Sequence, residues 1–346
     1  MAKRTATLLA RAPEEKPPAD IQPMLARMGA LPRDEDRWGF EIKWDGVRAL
    51  GFLVDSTWSM QNRRVQDITP RYPELATIAE QLAGRSAVLD GEVVVMDEQG
   101  RPSFQRIQRR MTLTNRRMVE QRMRDTPVDF MVFDLLHLDG RCVRDLVYPE
   151  RRELLESLDL EGPRWHTPRW HEGGGEELLE AAKRQGLEGV VAKRLDSPYR
   201  PGGRSGEWVK TRIWRRQEFA IGGWIPGEGS RAKGVGSLLV GYYDQRASEI
   251  PPGERQRLIF AGGVGSGLKE EDLRFLTREL KRRARKTSPF AQGGPTGAKA
   301  RLARWCRPDL VCEVSWSEWT DQGTLRQPSF KGMRDDKDAR EVVREQ

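Results

Sequence analysis

The stretch VDFMVFDLLHLDG, residues 128–140, does most to limit how this chain can fold. It is an almost unbroken apolar run that closes on Asp-Gly, and such a run reads as a buried strand ending in a turn. A buried strand needs sheet neighbours and cover, and the flanking sequence offers both. RALGFLVD and TWSMQNR read as a hairpin about Asp55–Ser56, and SAVLDGEVVVMD and LEGVVAKRL as further strands. YPELATIAEQLA, YPERRELLESL and GEELLEAAKRQG read as helices, the last stopped by Gly186. Strands and helices therefore mix from Trp38 to about Phe219.

The pattern changes near Glu218. EFAIGGWIP, GSLLVGYYD, RLIFAGGVG and LVCEVSWSEWT read as short strands separated by Gly-rich turns. One basic amphipathic helix, LKEEDLRFLTRELKRRARK, lies among them, and AQGGPTGAK reads as a surface loop. Short strands with one helix suit a small β-barrel such as an OB-fold, a frequent nucleic-acid binder. A length of 346 residues suits two domains of this size. Residues 1–20 read as a flexible polar lead-in ending at Pro17–Pro18, without the apolar core of a signal peptide or membrane span.

Composition narrows the partner. A net charge of +8 with 32% charged residues favours a polyanion, most simply nucleic acid. Cys142, Cys306 and Cys312 are too few and scattered for a disulfide framework, and His137, His166 and His171 form no zinc spacing with them. No G-K-[ST] occurs, which excludes a P-loop. GGVGSG, residues 262–267, follows a barrel-like strand and reads as a hairpin turn rather than a dinucleotide fingerprint.

In GFEIKWDGVRAL, residues 39–50, Phe40, Ile42 and Trp44 alternate onto one strand face and Lys43 onto the other, just before Asp45–Gly46. A lysine there is either a solvated strand residue or a nucleophile. Amines attack when deprotonated, and desolvation or neighbouring cations favour that form. Asp90 and Glu92 share a strand face, Glu188 precedes a β-run with Lys193 after it, and Lys210 and Arg212 share a face near Arg204. Carboxylates for a divalent cation, cations for phosphates and an aromatic such as Phe133 for a base together describe a nucleotide site.

The ordered set Lys43-Trp44-Asp45-Gly46-Val47-Arg48, Asp90-Gly91-Glu92, Phe133 in FDLL, Glu188-Gly189-Val190-Val191 and Trp208-Val209-Lys210 resembles the covalent nucleotidyltransferases. IQPMLA, PSFQRIQRR, SPYRPGGRSGEWVK, RRQEFAIGG and PSFKGMRDDK bring the resemblance closer to ATP-dependent DNA ligases of the bacterial end-joining type, from about Ile21 to Val343. The resemblance implies an α+β fold: a nucleotidyltransferase (adenylation) domain of antiparallel sheets and helices over 21–215, then a small OB-fold β-barrel over 216–346. It implies a three-step reaction through lysyl-AMP and DNA-adenylate that seals a 5′-phosphate to a 3′-hydroxyl, with Lys43 as the nucleophile.

The resemblance also distributes roles. Glu41 and Ile42 would lie with the adenine, and Phe133 would stack on it. Arg48 and Arg63 would contact the ribose and later the nick phosphate. Glu92 would hold the ribose and a metal, and Glu188 the metal. Arg204, Lys210 and Arg212 would hold phosphate. Arg334, Asp336 and Lys337 would orient the leaving pyrophosphate. The implied cofactors are ATP and Mg²⁺, with Mn²⁺ as a substitute. The implied partners are nicked double-stranded DNA and a DNA end-binding protein. A monomeric, cytoplasmic, nucleoid-associated protein with no membrane attachment is expected, with a hinge near residues 211–218. Two positions depart from the family pattern: Val65 stands where a turn Gly is usual, and Arg212 where Lys is usual. The rival readings are an RNA ligase or capping-type transferase, and a non-catalytic nucleic-acid-binding protein.

Overall fold

In the computed structural model, which describes residues 2–228, 234–251 and 253–345, the 128–140 run is the strand Asp129–Leu138, buried along its whole length. Burial on both faces explains why its apolar residues hardly alternate. It pairs antiparallel with Ala87–Val94, which pairs with Val47–Val54, which pairs with Thr57–Asn62. The last pair is a two-residue hairpin at Asp55–Ser56, both at positive φ (48° and 62°), as the twist of a tight hairpin demands. A second sheet runs in the order Arg27–Met28, Trp208–Arg212, Gly189–Arg194, Trp38–Ile42, His171–Glu172.

Alternation decides what each face covers. Leu50, Phe52, Val88, Phe133 and Leu136 of the first sheet pack with Trp208 of the second. The other face of the first sheet, with Leu53, Leu89, Phe130 and Val132, joins Ile78, Ile107, Leu154 and Leu155 in the largest core. The helix Gly175–Arg184 covers Trp38, Phe40, Val190 and Ala192 of the second sheet. All of this lies in the first of two units, residues 1–213; the second is 214–346.

In the second unit Arg215–Pro226 is shared between three partners. Its first half pairs with Val311–Trp316, its second half with Val235–Gly241 on one side, and Gly223 and Trp224 with Trp305 and Arg304 on the other. The change of partner coincides with a register shift between Ile221 and Gly223. Gly222 fits at that corner because a Cβ would lie 2.5 Å from the Phe290 ring. Val235–Tyr243 pairs with Leu258–Val264, Val311–Trp316 with Ser329–Arg334, and a bridge from Ser266 to Ser329 closes the circuit. Five strands thus close into a barrel, with the helix Glu270–Arg282 between the third and the fourth in chain order, the layout of an OB-fold.

Five sequence expectations need correction. GGVGSG is no hairpin turn: Gly262–Val264 end the strand Leu258–Val264, and the chain then runs into the helix Glu270–Arg282. The lead-in is not flexible throughout: Ala2–Arg11 is a helix, with Leu8 buried and Arg4 and Arg11 paired to Glu153 and Glu150. YPELATIAEQLA is no single helix but a 3₁₀ turn, Pro73–Leu75, followed by a short helix, Ile78–Gln81. Its buried Tyr72, Leu75 and Ile78 are three residues apart, which is the 3₁₀ period. AQGGPTGAK contains the end of a strand, Phe290–Gln292, and the start of a helix, Gly297–Leu302. The basic helix stops at Arg282, and Ala284–Arg285 pairs instead with Trp305–Cys306.

Candidate active site

The strand Trp38–Ile42 delivers Glu41 and Lys43 to one side, as alternation requires. Lys43 lies just past the strand end, its backbone N–H donating to Gly189 O at 2.9 Å. Two glycines permit the close packing around it. At Gly46 a Cβ would stand 2.2 Å from Val93 O, so only glycine lets this loop lie against the strand that carries Glu92. At Gly189, with φ +148°, a Cβ would stand 2.1 Å from Thr211 O. That approach brings Glu188 alongside Arg212.

These elements enclose a cavity of about 190 Å³. Glu41, Ile42, Lys43, Arg48, Arg63, Glu92, Phe133, Arg204 and Lys210 all line it. Glu188 sits beside it, with one oxygen on Lys43 Nζ and the other 2.8 Å from Arg212 Nε. The sequence-derived set in the first unit is therefore gathered in one place. Arg334 and Lys337 belong to the second unit, where Arg334 pairs with Asp336 at 2.8 Å, Glu218 at 2.9 Å and Glu313 at 3.4 Å.

Beneath the cavity lies a buried charge network. Glu41 accepts from Tyr148 Oη at 2.5 Å, and Lys193 Nζ lies 2.8 Å from its other oxygen. Arg152 lies 3.5 Å from Glu41 and donates to Phe133 O at 3.1 Å. Arg151 grips Asp134 through two bonds, 2.7 and 3.0 Å. Burial pulls the Lys193 amine below its ordinary range, although Glu41 and Asp134 oppose this. Burial pushes the Tyr148 hydroxyl well above its own. Phe133 has the Arg48 guanidinium 4.5 Å and the Lys193 amine 4.6 Å from its ring centre.

Arg48 is itself held. Its fork binds both oxygens of Asp90 at 2.6 Å, and Tyr199 Oη donates to Asp90 at 2.6 Å while accepting from Met24 N at 2.9 Å. Burial lowers the Arg48 pKa, but Asp90 outweighs it and the net shift is upward, so the guanidinium stays a cation. Through Tyr199 the segment Ile21–Ala26, whose Met24, Leu25 and Ala26 line the cavity, is tied to the same carboxylate.

The remaining electrostatics concern Glu92 and Lys210. Burial pushes the Glu92 carboxyl up to about 7, and Arg48 and Lys43 offset this only in part. A carboxyl so placed has room for one more positive charge. Glu92 and Glu188 both neighbour Lys43, and two carboxylates supplemented by substrate phosphates are the usual surroundings of Mg²⁺. The residues present fit that ion. Among the described residues no cluster of three or more His, Cys, Asp or Glu side chains forms an all-protein cage. Burial, then Lys43, Arg212 and Arg204, lower the Lys210 amine.

The two departures resolve structurally. Val65 takes φ +61° and keeps the turn a glycine would make, with Val65 N donating to Asn62 O at 2.9 Å and Asn62 Oδ1 accepting from Arg64 and Gln66. Arg212 keeps its charge beside Glu188. Sequence reasoning missed Tyr148, Arg151, Arg152 and Tyr199 as parts of the site, and noted Lys193 without giving it a role. Lys193 carried a signal, because it alternates with Val191 onto the cavity-facing side of one strand.

An amine flanked by carboxylates, in a cavity lined by an aromatic ring and the cations Arg48, Arg204 and Lys210, has the make-up of a nucleotidyl transferase site. Residues 20–212 match the ATP dependent DNA ligase domain family, and residues 231–337 match the ATP dependent DNA ligase C terminal region. The chain belongs to the ATP-dependent DNA ligase family, with a nucleotidyltransferase fold followed by an OB-fold. It is 42% identical over 328 residues to the multifunctional non-homologous end joining DNA repair protein LigD of Mycobacterium tuberculosis, covering 94% of this chain and 40% of that one. The chain thus spans less than half the length of that relative. The crystal structure of the ligase domain of M. tuberculosis LigD matches at 42% identity and TM-score 0.52, over 94% of this chain and 98% of that one. A mycobacterial DNA ligase D complexed with ATP and MES matches at 41% identity and TM-score 0.53, over the same shares.

Proposed function

We propose that this chain seals nicks in double-stranded DNA in three steps, consuming ATP. The observation that carries the reading is the placement of Lys43 Nζ, held by Glu188, in a cavity floored by Phe133 and bordered by Arg48, Lys210 and Arg204. The Lys43 amine attacks the α-phosphorus of ATP, a P–N bond forms, and pyrophosphate leaves with the electrons of the broken P–O bond. The 5′-phosphate oxygen of a nick then attacks the lysyl-AMP phosphorus and regenerates the amine. Last, the 3′-hydroxyl attacks the activated 5′-phosphate, loses its proton and expels AMP.

Each residue has a task in this reading. Glu41 and Ile42 border the adenine and Phe133 stacks on it. Arg48 and Arg63 meet the ribose and the nick phosphate. Arg204, Lys210 and Arg212 hold phosphate oxygens, and Arg334 and Lys337 orient the pyrophosphate. Glu92 and Glu188 would hold Mg²⁺ (or Mn²⁺), which when bound neutralises charge developing on the phosphates. Residues 21–215 work as the adenylation domain and 216–346 as the OB-fold, with the hinge at 211–218. End joining with a DNA end-binding partner, by a monomer in the bacterial cytoplasm at the nucleoid, is the setting we favour. The LigD resemblance supports the pathway, and no helix among the described residues is long and apolar enough to cross a membrane.

The test is incubation with α-labelled ATP and Mg²⁺, then with nicked duplex. The parent chain should acquire an acid-labile label that chases onto DNA, and Lys43→Ala should acquire none while still binding the nick. Labelling of Lys43→Ala, or preferential labelling by GTP, would overturn the assignment.

A further inference from the structure

The chain's basic surplus is not evenly spread. Residues 101–125, RPSFQRIQRRMTLTNRRMVEQRMRD, hold eight arginines against Glu120 and Asp125, leaving +6 of the chain's +8. They contain no lysine, and arginine is the residue whose planar fork matches phosphate oxygens. Two helices carry seven of them, Phe104–Met111 and Arg116–Asp125.

One of the eight explains how the pair is mounted. Arg110 is fully buried and donates to Glu74 at 2.7 and 3.1 Å, to Arg71 O at 2.8 Å and to Thr126 O at 2.7 Å. It joins the first helix, the C-terminal end of the second and the 71–74 turn. Arg71 in turn donates to Met111 O. That turn follows the 62–66 turn, whose Arg63 lines the Lys43 cavity. The helix pair is therefore rigidly fixed on the arm of chain that leads away from the reaction centre.

The second helix turns Val119 inward, while Arg117, Arg122 and Arg124 are exposed and no described ion pair engages them. Arg117 and Arg124 are seven residues, or about 10 Å, apart along one helix face. Arg117 stands in the first turn, which contains no acid and where the helix dipole disfavours a cation, whereas Arg116 beside it pairs with Glu120 and Arg122 and Arg124 sit in the last turn, where the dipole favours them. Exposed guanidinium forks with no described ion-pair partner suit an external polyanion.

We propose that this helix pair is a docking face for the sugar-phosphate backbone of the duplex, with Arg117, Arg122 and Arg124 as its phosphate contacts. The proposal rests on the ligase reading above and adds where on the first unit the substrate is held. The contacts are to phosphate alone, so they hold the duplex without reading its sequence.

The experiment compares two triple variants of the full chain. Arg117→Gln/Arg122→Gln/Arg124→Gln removes the face, and Arg33→Gln/Arg169→Gln/Arg184→Gln removes equal charge from exposed positions elsewhere in the first unit. Nicked-duplex affinity is measured against salt, and lysyl-AMP formation is measured without DNA. The face variant should lose about 2.7 from the log–log salt slope, about 0.9 for each of three phosphates, and bind at least ~10-fold more weakly at low salt. The control should keep the parent slope, and both should form lysyl-AMP at the parent rate. An unchanged slope in the face variant, or an equal fall in the control, overturns the docking face. A parent that forms no lysyl-AMP sinks the ligase reading instead.

Discussion

Tyr199→Phe should destabilise the first unit and loosen its hold on ATP, because a single hydroxyl joins two parts of the site. The substitution keeps the ring, which is 2% exposed and packs edge-on against Trp208 at 5.6 Å, so no cavity arises. It removes the 2.6 Å bond to Asp90 and orphans the Met24 N–H, which had bonded the hydroxyl at 2.9 Å. A hydrogen bond to a charged group contributes about 1.5–3 kcal/mol, and an unpaired buried donor costs about 1–3 kcal/mol. Arg48 still binds both Asp90 oxygens, which keeps that carboxylate paired and holds the total near the lower end, about 3 kcal/mol. For a unit of this size each kcal/mol moves Tm by roughly 2–4 °C, so thermal unfolding followed by circular dichroism should shift down by ~6–12 °C. Met24, Leu25 and Ala26 line the cavity, so the ATP concentration for half-maximal lysyl-AMP formation should rise several-fold with the limiting rate little changed. A Tm shift under about 2 °C with unaltered ATP dependence would refute the idea that the hydroxyl holds Ile21–Ala26 in place.

Three further outcomes follow from other parts of the molecule. Arg334→Ala should slow lysyl-AMP formation by ~10²-fold or more if its charge stabilises the departing pyrophosphate, yet seal a pre-adenylated nick near the parent rate; equal loss in single-turnover assays of both would mean a folding or DNA-binding role. Val65→Gly should raise stability by about 1 kcal/mol, since a β-branched residue at φ +61° is strained, and an unchanged or lowered urea midpoint would show that the strain is already relieved. Because burial raises Glu92 to about 7 from an ordinary 4.5, the folded chain holds a proton that the unfolded chain releases between those values, so its contribution to stability falls as pH rises from 4.5 to 7. Without divalent cations, the parent should therefore lose Tm relative to Glu92→Gln over that window, and a difference curve flat in pH would exclude the shift.

What the sequence determined by itself was whatever depends on residue type at short range. The 3.6 period placed Gly175–Arg184, an unbroken apolar run placed Asp129–Leu138, and the motif around Lys43 singled out the candidate nucleophile. The cavity-lining residues Glu92, Phe133 and Lys210 were legible for the same reason: each sits in a short, ordered block whose chemistry is unusual. Tertiary structure alone decided how those blocks are supported. Nothing local marks Tyr148, Arg152 and Lys193 as the donors and cation around Glu41, or Tyr199 as the link between Met24 and Asp90, because their partners lie 107 to 175 residues away in sequence. Nor could propensity show that Ala2–Arg11 would be helical, since its apolar stripe is short and its stability comes from Leu8 in the core and from Glu150 and Glu153 on another helix. Local pattern fixes which face of an element is apolar; only packing selects which distant charge is buried against which, because a buried ion is tolerated solely where its partners converge in space.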